Sequence, residues 1–107
     1  MPQEEYELSW ENSTRKDILK IHAFIAKNVS VELANETVRG LYNAVEPLRN
    51  TPERFSREQS LLHRKEMFRY IKYKKYKILY SVERQVVHIL SIFPARQNPK
   101  KLVRKFK

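Results

Sequence analysis

The stretch that most constrains this chain is 68–93, FRYIKYKKYKILYSVERQVVHILSIF, where three runs dense in aromatic and β-branched residues are separated by only two or three polar ones. Runs of that kind at that spacing make strands joined by tight turns, so 68–73, 76–82 and 86–93 are predicted to form an antiparallel meander. Lys74-Lys75 serves as the first turn without the favoured Asn-Gly or Asp-Gly pair, and the second turn lies near Glu83 to Gln85. A period of two puts Tyr76, Ile78, Tyr80 and Val82 on one face of the middle strand and Lys77, Leu79 and Ser81 on the other. A lysine on a central strand needs water or a bound anion. The lysine face is therefore predicted to be a solvated or ligand-binding surface, and the tyrosine face to meet helices.

Two helices are available for that role. Tyr6, Leu8 and Trp10 alternate with Glu7 and Ser9, which reads as a half-buried strand at 6–10. Ser13 or Thr14 then caps a helix at 14–27, with Asp17 in its first turn and Ile18, Ile21 and Ile25 as its apolar stripe, extended by Leu19, His22 and Ala26. Ser30 caps a second helix carrying Ala34, Val38, Leu41, Val45 and Leu48, and the short link makes the pair an antiparallel hairpin. Gly40 inside this helix costs about 1 kcal/mol relative to alanine unless close packing needs it. Pro47 predicts a kink or an end. The polar segment 50–61, with Pro52 as a breaker, reads as a surface loop, and 61–66 leads into the meander.

Charge is distributed unevenly. Residues 1–61 hold 8 Lys/Arg against 10 Asp/Glu, whereas 62–107 hold 14 against 2, so the halves carry −2 and +12. The basic half is suited to nucleic acid, an acidic protein segment or an anionic surface, against the plainer reading of a lysine-rich solvated face. The absence of cysteine excludes disulfides and thiolate metal sites. No run approaches the roughly 18 apolar residues of a membrane span, and the acidic MPQEEYELSW start does not read as a secretory signal. One domain over 1–107, with a basic tail at 100–107, acting in the cytoplasm away from any membrane, is the expectation.

The order strand, helix, helix, three strands, basic end resembles that of RelE/ParE-family toxins. The local match lies in the YKILYSV strand at 76–82, the apolar strand after it, and the Ala95-Arg96-Gln97-Asn98-Pro99 loop, with Arg69 resembling an arginine common in ParE-like members. The resemblance implies an α+β fold of β-α-α-β-β-β order, a helix hairpin packed on a twisted antiparallel sheet. It further implies the toxin of a type II toxin–antitoxin pair, bound and neutralised in a hetero-oligomer by a cognate antitoxin, with neither cofactor nor metal.

That family divides by mechanism. RelE-like members cut messenger RNA on the ribosome, and ParE-like members poison DNA gyrase. Metal-independent RNA cleavage needs an activated 2′-hydroxyl, cations to stabilise the developing charge and a proton for the leaving oxygen. Lys77 and Arg96 match the RelE-like catalytic arginines in charge, although lysine lacks the bidentate fork. Phe68 and Tyr70 stand where those enzymes carry basic residues, Leu102 where they carry a tyrosine, and Phe93-Pro94 where relatives carry a His-Tyr pair. His88, grouped with Val86, Leu90 and Ile92 by the period of two, reads first as a packed or boundary residue, as does His22. Arg69, Lys72, Lys74 and Lys75 are the candidates for binding a target or phosphate. Tyr76 and Tyr80 read as sheet residues, whereas Tyr70 and Tyr73 suit either packing or base stacking. The balance favours ParE-like gyrase inhibition, with ribosome-dependent RNA cleavage and a non-toxic basic nucleic-acid-binding domain as alternatives.

Overall fold

The first turn of the meander takes the two residues its spacing dictates, Lys74 and Lys75, while the second, expected near Glu83 to Gln85, is Arg84 and Gln85 because the middle strand runs on through Glu83. The structure, a computed structural model, describes residues 5–52, 56–57 and 68–96; the lead-in at 61–66, the loop beyond Arg96 and the tail at 100–107 lie outside them. Its elements are β1 (Glu7–Trp10), α1 (Asn12–Asn28), α2 (Val31–Ala44), a 3-10 helix (Glu46–Arg49), β2 (Ser56–Arg57), β3 (Phe68–Tyr73), β4 (Tyr76–Glu83) and β5 (Val86–Pro94). Lys74, Arg84 and Gln85 all adopt positive φ, at 53°, 49° and 67°. Arg84 and Gln85 thus take the left-handed pair that matches the twist of the flanking strands and that Asn-Gly usually fills.

The five strands are ordered β1-β5-β4-β3-β2. β3, β4 and β5 pair antiparallel, but β1 runs parallel to β5, with Glu7 opposite Val86 and Trp10 opposite Ile89. The sheet is therefore mixed, because β1 reaches β5 through space and no tight turn fixes its direction. The short β2, paired to β3, occupies part of a segment expected to be loop. Pro52 is also not on the surface: it is buried, and its carbonyl accepts a hydrogen bond from the Tyr80 hydroxyl.

The helix pair covers one face of the sheet. Ile18, Leu41, Val45 and Leu48 meet Tyr76, Ile78, Tyr80, Val87, Ile89 and Ile92 in the main core, so the tyrosine face of β4 does meet the helices. Each such side chain is worth about 1.5–3 kcal/mol when fully buried. Leu19 is an exception to the predicted stripe, being 70% exposed. His22 bridges the helices through Asn35 Oδ1 at 2.8 Å, a boundary role. Ser30 Oγ accepts from Leu33 N at 3.0 Å as the cap of α2, and α2 stops at Ala44, ahead of the 3-10 turn that contains Pro47.

A β-bulge corrects the face assignment of β5. Leu79 pairs with Ser91 and Tyr80 with Ile89, which leaves Leu90 as the extra residue. The alternation reverses there. Ile92 consequently joins the main core, while Leu90 packs on the opposite face against a second cluster of Phe68, Leu79 and Phe93. The lysine face is thus partly apolar at its base, with Leu79 fully buried.

α1 begins at Asn12, two residues before the predicted start, so Ser13 and Thr14 are not its caps and Asp17 is not in its first turn. Their side chains go to the edge of β5 that β1 leaves uncovered. Ser13 Oγ donates to Leu90 O at 2.8 Å and Thr14 Oγ1 to Ile89 O at 2.6 Å. Asp17 Oδ2 accepts from Ile92 N at 3.0 Å and Ser91 Oγ at 3.1 Å. Backbone groups without a strand partner are satisfied by a helix.

Gly40 has the packing reason its position demands. A Cβ built on it would lie 1.8 Å from the Tyr73 hydroxyl oxygen and 2.2 Å from Cζ, so the Tyr73 ring can lie against α2 as it does only because that atom is missing.

Candidate functional site at the lysine hairpin

The β3–β4 register decides which predicted residues meet. Lys72 lies directly opposite Lys77, Tyr70 opposite Leu79, and Phe93 of β5 opposite Lys77 on its other side. Lys72 and Lys77 therefore share the sheet face turned away from the helices. Arg69 pairs with Tyr80 and belongs to the helix-side face, so the structure separates it from them. The sequence already held that distinction, since 69 and 72 differ by an odd number and fall on opposite faces of one strand.

Lys74 and Lys75 form the turn at the same end. Ala95 N donates to Lys75 O at 2.8 Å, which brings Arg96 beside that turn. Five of the six predicted cations thus gather at one end of the sheet: Lys72, Lys74, Lys75, Lys77 and Arg96. All but Lys77 are exposed, and Lys77 is half-buried.

Aromatic rings hold several of these cations. Lys77 Nζ stands 4.2 Å from the centroid of Tyr70, Lys74 Nζ 5.5 Å from that of Tyr73, and Lys75 Nζ 5.8 Å from that of Tyr76. Each contact is worth about 0.5–1 kcal/mol at exposed sites. Tyr70 thereby acquires a part in the site that its composition alone left open. Tyr73 and Tyr76 are packing residues first, and burial pushes the Tyr76 phenol above its ordinary pKa.

His88 is elsewhere. It pairs with Ser81, and its Nδ1 lies 2.7 Å from Glu11 Oε1, joining β5 to the residue before α1. Four residues of β4 separate Ser81 from Lys77, about 13 Å at about 3.3 Å per residue. A single phosphodiester cannot be reached from both places. Sequence reasoning did not foresee the Glu11 partner, which depends on the parallel placement of β1.

A groove of about 410 Å³ opens next to the hairpin, between α1 and the sheet, lined by Lys20, Ile21, Phe24, Lys75, Tyr76, Ile92 and Pro94. Among the described residues no cluster of three His, Asp or Glu is placed to hold a metal, and no helix is long and apolar enough to cross a membrane.

Fold and site together define a small α+β domain with a helix hairpin on one sheet face and a cationic end on the other. The family model for the ParE toxin of the type II toxin–antitoxin system parDE matches residues 8–99, and the chain belongs to that family. No curated protein sequence matches it. Among solved structures it is similar to the chromosomal ParDE toxin–antitoxin system from P. aeruginosa, with a TM-score of 0.73 and 16% identity over 86% of this chain and 98% of that one. It is also similar to the toxin–antitoxin complex RelBE2 from Mycobacterium tuberculosis, with a TM-score of 0.52 and 19% identity over 84% and 91%. At these identities the likeness to solved structures is one of fold.

Proposed function

We propose that this chain arrests growth by inhibiting DNA gyrase, and that an antitoxin neutralises it by direct binding in the cytoplasm. The observation that carries the reading is the distance between cations and acid–base groups. The described imidazole–carboxylate pair of the sheet, His88 with Glu11, stands about 13 Å from Lys77 along the strands. Cleavage at a 2′-hydroxyl requires proton transfer within hydrogen-bond reach, about 2.6–3.2 Å. A cationic surface whose described imidazole and its carboxylate partner stand that far off suits binding better than cutting.

The antitoxin part of the reading is supported by the helical layer. Leu19, Phe24, Val29, Val31 and Tyr42 are exposed on α1, α2 and their link. An amphipathic segment has apolar anchors there, while the +12 half steers an acidic one.

Expression of the chain with and without its cognate antitoxin tests both parts. Arrest with DNA damage and intact RNA, together with loss of supercoiling by purified gyrase, is expected. Codon-spaced cuts in messenger RNA with gyrase unaffected would replace the reading by ribosome-dependent RNA cleavage through Lys77 and Arg96.

A further inference from the structure

We propose that the helical layer pairs with a second copy of this chain, as a two-fold dimer in which each α1 lies over the α2 of the other copy. This goes beyond gyrase inhibition and antitoxin binding, and the test below requires neither.

The first observation is where the exposed large apolar side chains of the described residues stand. Leu19, Phe24, Val29, Val31 and Tyr42, each 42–70% exposed, lie on α1, α2 and their link. Leu19 and Tyr42 flank a cavity of about 280 Å³ whose other walls are Trp10, Arg15 and Ile18, with the Trp10 and Tyr42 rings 4.6 Å apart. An exposed cluster of aliphatic and aromatic side chains marks a place for contact with another protein surface.

The second observation decides what covers it, because the outward ridges of the two helices carry opposite charge. On α1, Lys16, Lys20 and Lys27 share one face at helical spacing, and all are exposed. On α2, Glu32 and Glu36 stand one turn apart, also exposed, and Arg39 follows on the same ridge. Arg49–Glu46 and Glu11–His88 are ion pairs elsewhere, and Lys16, Lys20, Lys27, Glu32 and Glu36 have no ion-pair partner among the described residues. A basic ridge beside an acidic one is complementary to its own copy turned about an axis parallel to the helices, as an isologous contact requires.

Heights along the helices match as well. His22 bonds Asn35 across the hairpin, so, counting in opposite directions from that pair, Lys20 stands within one residue of Glu36 in height and Lys27 within two of Glu32. A two-fold axis parallel to the helices preserves height. Lys20 of one copy therefore meets Glu36 of the other and Lys27 meets Glu32, each pair occurring twice, while Lys16 comes to the height of Arg39. A two-fold across the helices would instead lay α1 on α1, with Arg15, Lys16, Lys20 and Lys27 against their own copies.

The remaining charge does not oppose this pairing. Residues 11–49 carry six Lys/Arg against five Asp/Glu, and Lys72 and Lys77 occupy the sheet face turned away from the helices, so the two basic faces point outward. The 17 residues of α1 make it about 25 Å long and two packed helices are about 20 Å wide, so each copy offers a face of about 500 Å². The total, about 1,000 Å², is at the lower bound for a specific interface, which makes the dimer an exchangeable, micromolar one. An antitoxin seated on the same anchors excludes the second copy.

The test is sedimentation equilibrium of the full chain over a micromolar to submillimolar series, which should show monomer and dimer in exchange. Lys20→Glu/Lys27→Glu and, separately, Glu32→Lys/Glu36→Lys should each weaken association by about tenfold or more, since four opposite pairs become like pairs. Mixing the two variants puts opposite charges at all four contacts again and should restore association to within about threefold of the wild type, which misfolded variants could not do. Lys16→Glu, the same charge change at the height of Arg39, should hold or tighten the dimer. A chain monomeric throughout the series would overturn the proposal. So would double variants that associate like the wild type, a mixture that fails to recover, or weakening by Lys16→Glu as large as that of the α1 double variant.

Discussion

Gly40→Ala is expected to destabilise the protein even though it replaces a mid-helix glycine by the best helix former. The introduced Cβ meets the Tyr73 hydroxyl oxygen at 1.8 Å, Cζ at 2.2 Å and Cε1 at 2.8 Å, against 3.4 Å for an ordinary contact, so the ring must retreat by about 1.6 Å. Helix propensity contributes about 1 kcal/mol in favour of alanine. Against it stand about 1–3 kcal/mol for an overpacked contact, or about 1.5–3 kcal/mol if the half-buried ring leaves the core instead. The net is a loss of about 1–2 kcal/mol. A double-mutant cycle by urea denaturation separates the two terms. In a Tyr73→Ala background the clash is gone, and Gly40→Ala should become stabilising by about 1 kcal/mol. Tyr73→Phe should not rescue, because Cζ remains. An alanine that stabilises equally in both backgrounds would refute the reasoning.

Asp17→Ala removes the acceptor of Ile92 N–H and Ser91 Oγ and should cost about 1–3 kcal/mol in chemical denaturation, with Asp17→Asn recovering part of it. Gln85→Gly relieves a side chain held at a φ of 67° and should stabilise by about 1 kcal/mol, read from the shift of the urea midpoint. Burial raises the Tyr76 pKa, so the folded state keeps the phenol proton more firmly than the unfolded chain. That contribution is complete below about pH 10 and is lost as pH rises through the folded pKa. Tyr76→Phe should therefore retain more of its neutral-pH stability than the wild type when both are melted above about pH 10.

The features readable from sequence are those written locally. The two-residue Lys74-Lys75 turn, the Ser30 cap and the stop before Pro47 each depend on a handful of adjacent residues, and each is present. The gathering of Lys72, Lys74, Lys75 and Lys77 follows from hairpin register alone. Long-range placement left no such trace. Nothing around Tyr6 to Trp10 encodes a parallel seat beside β5, and without that seat neither the Glu11–His88 contact nor the service of Ser13, Thr14 and Asp17 to the edge of β5 is foreseeable. The burial of Pro52 beneath Tyr80 was hidden for the same reason: its polar neighbours describe a loop, while a hydroxyl 28 residues later fixes where that loop must go.

The bulge at Leu90 makes β5 unequal in its tolerance of length change. Val87, Ile89 and Ile92 point to the helices only because one surplus residue sits between Ile89 and Ser91. Deleting Leu90 restores simple alternation and leaves every other side chain of β5 on its present face, at the expense of the Leu90 packing contact and its carbonyl. Deleting Ser91 keeps the same faces, with Leu90 opposite Leu79, but removes the Ser91 hydroxyl from Asp17, whereas deleting His88 moves residues to the wrong side. Among relatives of this chain, gaps in the last strand are thus expected to fall at the position of Leu90, and homologues lacking that residue should keep the same core with a straighter, less twisted β5.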